Sequence, residues 1–130
     1  MSTIAAHPQR NTIRLQLKQN LILRELPASV WAELEPQLDI VEHRKGETLV
    51  RQGATNMEQF FVLEGILKRG VSNPQGKEMI LRFAAETDMD TSYAAWRLKT
   101  PIPYSIQAVT KVRVATMSMP HWTEFLDRHE

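Results

Sequence analysis

The sequence predicts a mainly β domain with helices at both ends. Three observations carry that expectation. Residues 10–38 and 120–129 repeat apolar positions at helical spacing, residues 39–118 break into short apolar segments, and glycine-bearing turns separate those segments. Many short strands joined by such turns build a sandwich or a closed barrel. The 130-residue length matches a single domain, since one core serves roughly 100–200 residues. A chain of this size hides about two-thirds of its unfolded surface and needs no covalent staples.

The helical lead covers residues 10–38. Ile13, Leu17 and Leu21 recur every four residues, with Leu26 continuing the side, so one stripe faces a core. Arg10, Arg14 and Lys18 follow the same spacing on another face, which reads as a solvated helix surface rather than a phosphate track. Pro27 breaks the segment. A second short helix opens at Ala28-Ser29 and runs through Trp31, Leu34 and Leu38, with Ser29 predicted as its N-cap.

The β roll covers residues 39–118. Its predicted strands are Ile40–His43, Glu47–Arg51, Gln59–Leu63, Ile66–Ser72, Lys77–Phe83, Tyr104–Val109 and Val112–Met117. Between them lie Lys45-Gly46, Gln52-Gly53-Ala54, Glu64-Gly65, Asn73-Pro74-Gln75-Gly76 and Thr110-Lys111. Phe60 and Val62 alternate with Phe61 and Leu63, and Met79, Leu81 and Phe83 with Ile80 and Arg82. Both faces are mostly apolar, which predicts strands covered on both sides. Glu86–Pro103 breaks the rhythm with an irregular insertion, including a helical turn near Tyr93–Arg97, in the manner of a binding loop or a structural cap. The closing helix, residues 120–129, starts at Pro120 and presents Trp122, Phe125 and Leu126, with His129 next in the series.

Composition narrows the function. Sixteen Lys and Arg against 15 Asp and Glu leave a net charge of +1, which argues against a dedicated nucleic-acid binder. There is no cysteine, so disulfides, thiolate zinc sites and a cysteine nucleophile are excluded together. No apolar run approaches the ~20 residues that span a bilayer, and the start lacks the apolar stretch of a secretory signal. These features predict a cytoplasmic, soluble protein with no membrane partner.

Catalytic chemistry finds no support. Of His7, His43, His121 and His129, none forms a His-x-His pair; Glu42 points away from His43, and His121 with Glu124 offers two ligands at most. No Gly-x-Ser-x-Gly elbow, Gly-x-Gly-x-x-Gly or P-loop pattern is present, and Asp88 and Asp90 read as turn formers. The expectation is a non-enzyme with no cofactor and no metal.

The β segments carry a specific resemblance. Lys45-Gly46-Glu47-Thr48-Leu49, Gln52-Gly53, Phe61-Val62-Leu63-Glu64-Gly65 and Gly76-Lys77-Glu78-Met79-Ile80-Leu81 follow one another as in the cyclic-nucleotide-binding domain of the Crp–Fnr transcription regulators. Leu26-Pro27, Val30-Trp31 and Met119, Trp122, Phe125-Leu126 suit that family's flanking helices, so the resemblance runs from about Asn20 to Glu130. It implies a double-stranded β-helix, or jelly roll, that senses a small-molecule effector. It also implies a long dimerising helix and a C-terminal helix-turn-helix, through which a full-length homodimer reads DNA. Two readings stay open: a regulator cut to its sensor domain, or a stand-alone small-molecule or protein-interaction module of the same fold. The polar tail Asp127-Arg128-His129-Glu130, with no closing device, favours the first. The lack of cysteine rules out the iron–sulfur sensing of some relatives.

The sequence departs from the family where the nucleotide is held. Cyclic-AMP-binding members carry a Gly-Glu pair for the ribose hydroxyl and an Arg followed by Ser or Thr for the cyclic phosphate. Aligned without gaps, the first pair falls on Thr91 and Ser92 and the second on Ile102 and Pro103. Both the carboxylate and the guanidinium are gone, and Pro103 also lacks a backbone N–H. Charge-assisted hydrogen bonds contribute about 1.5–3 kcal/mol each, so losing both predicts affinity weaker by roughly two to four decades. The candidate pocket residues are Arg82, Thr91, Ser92, Arg97, Ile102, Pro103 and Ser105. Arg82 is expected to be buried with an acidic partner such as Asp88 or Asp90, Arg97 and Lys99 to be solvated, and Tyr93 and Trp96 to plug the core.

Overall fold

The computed structural model describes residues 2–20, 23–55, 57–85, 89–90 and 99–129. Two antiparallel sheets face one another. One holds strands β1 (Ser2–Thr3), β2 (Asp39–His43), β4 (Glu58–Glu64), β7 (Met89–Asp90) and β9 (Val112–Ser118) in the order β1-β2-β9-β4-β7. The other holds β3 (Thr48–Val50), β5 (Leu67–Ser72), β6 (Glu78–Ala84) and β8 (Ser105–Ala108) in the order β3-β8-β5-β6. Helices α1 (Arg10–Lys18), α2 (Ala28–Leu34) and α3 (Met119–Arg128) flank the roll. Because the chain crosses repeatedly between sheets, strands distant in sequence pair in space, as in a jelly roll. All seven predicted strands are present within a residue or two of their expected bounds. The two-residue strands β1 and β7 are additional.

Strand β4 lies between β9 and β7. Phe60, Phe61, Val62 and Leu63 are all buried, so this strand is covered on both faces as predicted. Strand β6 is not. Met79 is 66% exposed, Phe83 56%, and Ile80 and Leu81 nearly half, which corrects the expectation of two-sided burial. The reason is position: β6 lies at the rim of its sheet and borders only β5 among the described residues. An apolar alternation cannot distinguish a central strand from a rim strand.

Turn chemistry follows the sequence. The Asn73 side-chain oxygen accepts from the N–H groups of Gln75 (3.0 Å) and Lys77 (2.9 Å), and Gly76 takes a φ of +82° to close the β5–β6 hairpin. Gly65 takes φ +91° between β4 and β5.

The helices show three corrections. The predicted lead is interrupted: α1 ends at Lys18, and the chain continues through a 3-10 turn at Leu23–Glu25. Ile13 and Leu17 are buried as predicted and Leu26 partly so, while Leu21 lies outside the described residues. Ser29 does not cap α2. The helix starts at Ala28, with Pro27, two residues before the expected cap, in the extended N-cap conformation and its carbonyl accepting from Val30 and Trp31. In α3 the core side is Met119, Trp122 and Phe125, whereas Leu126 is 38% exposed. Spacings of three residues from Met119 decide which face turns inward, and Ser118 caps the helix by accepting from the His121 N–H at 3.4 Å. No helix among the described residues is long and apolar enough to cross a membrane.

Ion pairs tie the helices to one another. Arg14, from the basic face of α1, donates to Glu35 at 2.6 and 3.0 Å. Glu33 of α2 receives Arg128 (2.7 Å) and the His129 ring (2.6 Å) from the end of α3, while that ring also packs on Phe125. Between the sheet strands, buried Arg113 donates through Nε (3.1 Å) and a terminal nitrogen (2.8 Å) to Glu42, and lies 3.7 Å from Glu64. The Arg113 hydrogen bonds hold the Glu42 carboxyl below its ordinary value of 4.5. A depressed folded-state value makes the contribution present above the unfolded value and lost as pH falls through the folded one. Urea midpoints of the wild type and Glu42→Gln are therefore expected to converge as pH falls below 4.5. The gap at neutral pH should be small, because half of the Glu42 side chain is in solvent. A gap that widens in acid would contradict this assignment.

Candidate functional site

The inner wall of the four-stranded sheet is defined by its register. Leu67 pairs with Ala84 and with Ala108, and all three are buried. Two residues along, Arg69 pairs with Ile106 on one side and Arg82 on the other. Register partners project to the same face of an antiparallel sheet, so Arg69, Arg82 and buried Ile106 share the wall with the core residues. The Arg69 guanidinium lies over the Tyr104 ring, 4.1 Å from its centroid, a contact in which a delocalised cation meets the negative face of the ring. Tyr104 itself is buried.

Arg82 is exposed, contrary to the sequence expectation, and has no ion pair among the described residues. It lies on the rim strand, whose residues Met79, Ile80, Leu81 and Phe83 are exposed on both faces. Between the Arg69–Arg82 and Gly70–Ile80 pairs the register skips Leu81, so β6 carries one extra residue at the rim. The Asp88 and Asp90 side chains expected as its partners lie outside the described residues.

The other candidates separate. Ile102 is 2% exposed and joins the core. Its N–H donates to the Ala54 carbonyl at 2.8 Å and its own carbonyl accepts from Gly53 at 2.7 Å, so the 53–54 turn clamps the backbone at this point. Pro103 is exposed. Ser105 pairs with Gly70 on the opposite face from Arg69, and its hydroxyl accepts from the Gln52 N–H at 3.0 Å. Lys99 is exposed and adopts φ +56°, a left-handed conformation uncommon for a residue with a side chain. Beside it a cleft of about 230 Å³ is lined by Thr55, Met57, Lys99, Thr100 and Pro101. Thr91, Ser92, Tyr93, Trp96 and Arg97 lie outside the described residues.

Sequence reasoning missed Arg69 and Tyr104 as partners. Leu67-Lys68-Arg69-Gly70 does not alternate cleanly, and the pairing with Arg82 depends on the bulge, which leaves no mark in composition.

Position 102 therefore presents a packed isoleucine, where a phosphate-binding arginine is expected in the resembling family. The sequence profile of the cyclic nucleotide-binding domain matches residues 40–129. The chain belongs to that family. Its roll has the fold of solved cyclic nucleotide-binding structures. A candidate cAMP-binding regulatory protein of Silicibacter pomeroyi DSS-3 superposes with TM-score 0.77 at 24% identity, covering 91% of this chain and 54% of its own. The sensor domain of the transcriptional regulator DNR of Pseudomonas aeruginosa gives 0.78 at 21% identity, covering 88% and 76%. The regulatory subunit of a cAMP-independent protein kinase A of Trypanosoma brucei gives 0.78 at 19% identity, covering 92% and 43%. This cyclic nucleotide-binding domain thus spans about half the length of the Silicibacter protein. No curated protein matches it.

Proposed function

We propose that the chain is the effector-sensing domain of a bacterial Crp–Fnr-like transcription regulator whose cyclic-nucleotide site has lost its anchors. Membership of the cyclic nucleotide-binding family supports a regulatory, non-catalytic role for a small-molecule receiver. The likeness to a transcriptional sensor domain supports the regulator reading, in which a further C-terminal domain reads DNA as a homodimer in the cytoplasm. A kinase regulatory subunit described as cAMP-independent carries the same fold, which supports separating the fold from cAMP response.

One observation carries the loss of the usual ligand: Ile102 is buried among apolar side chains. An aliphatic group there offers a phosphate no charge and no donor. Calorimetry of the whole chain with cAMP is expected to show no low-micromolar binding. Low-micromolar binding that Ile102→Ala or a Ser92 substitution weakens overturns the proposal.

A further inference from the structure

We propose that Arg82, beside the stacked Arg69, forms an oxyanion-binding site on the inner wall of the four-stranded sheet. The inference rests on the sensor reading and gives its effector a chemical class: a small phosphate or carboxylate. Like charges directly opposite one another in an antiparallel pair repel, yet the register sets Arg69 and Arg82 side by side. The two are not equivalent. Arg69 is oriented by the Tyr104 ring at 4.1 Å, while Arg82 projects into solvent with no ion pair among the described residues. A guanidinium offers a planar fork of donors that matches two oxygens of a phosphate or carboxylate. An anion seated on Arg82 gains that fork together with the field of a second, immobilised cation, and its charge relieves the repulsion between them. What the site takes from Arg69 is its fixed place over the Tyr104 ring; the fork of donors that binds is that of Arg82.

Location strengthens the assignment. The pair sits on the same face as Leu67, Ala84 and Ile106, the face turned to the core, where the rim strand leaves Arg82 open to water. A ligand bound there contacts the roll from the β5–β6 wall instead of from position 102. The polar group that holds an anion has moved to a different strand of the container.

The test uses the isotopically labelled whole chain, titrated separately with inorganic phosphate and with malonate at constant ionic strength, sodium chloride being the control. The Arg82 and Arg69 Nε–H resonances are expected to shift saturably with at least one of the two, the saturating arm identifying phosphate or carboxylate as the source. Arg82→Gln, a change at an exposed side chain, is expected to weaken that binding by about tenfold or more. Shifts that chloride reproduces, that fail to saturate, or that survive Arg82→Gln unchanged overturn the site. A cAMP arm keeps the two claims apart. Low-micromolar cAMP binding that leaves Arg82 unmoved defeats the reading of lost nucleotide anchors, whereas failure of both oxyanions defeats the arginine site alone.

Discussion

Replacing Phe61 with alanine is expected to destabilise the domain by about 3–5 kcal/mol. The residue sits in mid-β4 and is 1% exposed. Its ring meets Trp122 of α3 edge-on, with centroids 5.4 Å apart, and Trp122 in turn stacks on Phe125 at 5.7 Å. Truncation therefore removes buried apolar area, leaves a void that a sheet paired on both sides cannot collapse to fill, and strips α3 of its aromatic contact with β4. A loss of this size consumes a large part of the stability that a small domain has. Urea denaturation followed by tryptophan fluorescence measures it. Phe83→Ala provides the contrast: the same change at a β6 residue that is 56% exposed should stay within about 1 kcal/mol, in the range of surface substitutions. Equal losses at the two positions would contradict the burial described for β4 and β6.

Gly65→Ala is expected to cost about 2–6 kcal/mol, combining backbone strain with steric overlap. The φ of +91° already penalises any residue with a Cβ. The added methyl would also meet the Lys111 carbonyl oxygen, with the Val112 side chain at 2.6 Å and the Thr110 hydroxyl at 2.9 Å. Backbone is the obstruction, so no rotamer change relieves it. The turn between β8 and β9 would have to retreat, disturbing the Ile66 N–H to Thr110 hydroxyl bond of 3.1 Å that joins the two turns. Gly76→Ala, in the same backbone region but with nothing within 4 Å of the added carbon, isolates the strain from the overlap. The difference between the two urea midpoints should be at least half of the Gly65 effect. Indistinguishable variants would remove the close approach from the account of this turn.

How much of the fold is legible in the sequence follows from the range over which each force acts. Turn residues act locally, so the glycines at 46, 53, 65 and 76 bound the strands within a residue or two from the order of amino acids alone. Burial does not act locally. Phe61 and Phe83 occupy similar alternating runs, yet one is enclosed and the other faces solvent, because strand order is decided by pairings such as Leu67 with Ala108 across forty residues. The same limit governs the site. Ile102 and Pro103 are expected at the site from the resemblance alone, while the Arg69–Arg82 pair follows from register and a one-residue bulge. The expectation for Ser29 misses by two positions and that for Leu126 by one. In a helix one residue is a 100° turn, enough to exchange core for water.

The extra residue at Leu81 has a second consequence, for behaviour in concentrated solution. A rim strand rich in Met, Ile, Leu and Phe is a template on which other chains can polymerise as a continuous ladder. A bulge bends and twists such a strand, so an incoming partner cannot match it for more than a few residues. Straightening β6, by deleting Leu81, would therefore convert a guarded margin into a nucleus for fibril growth.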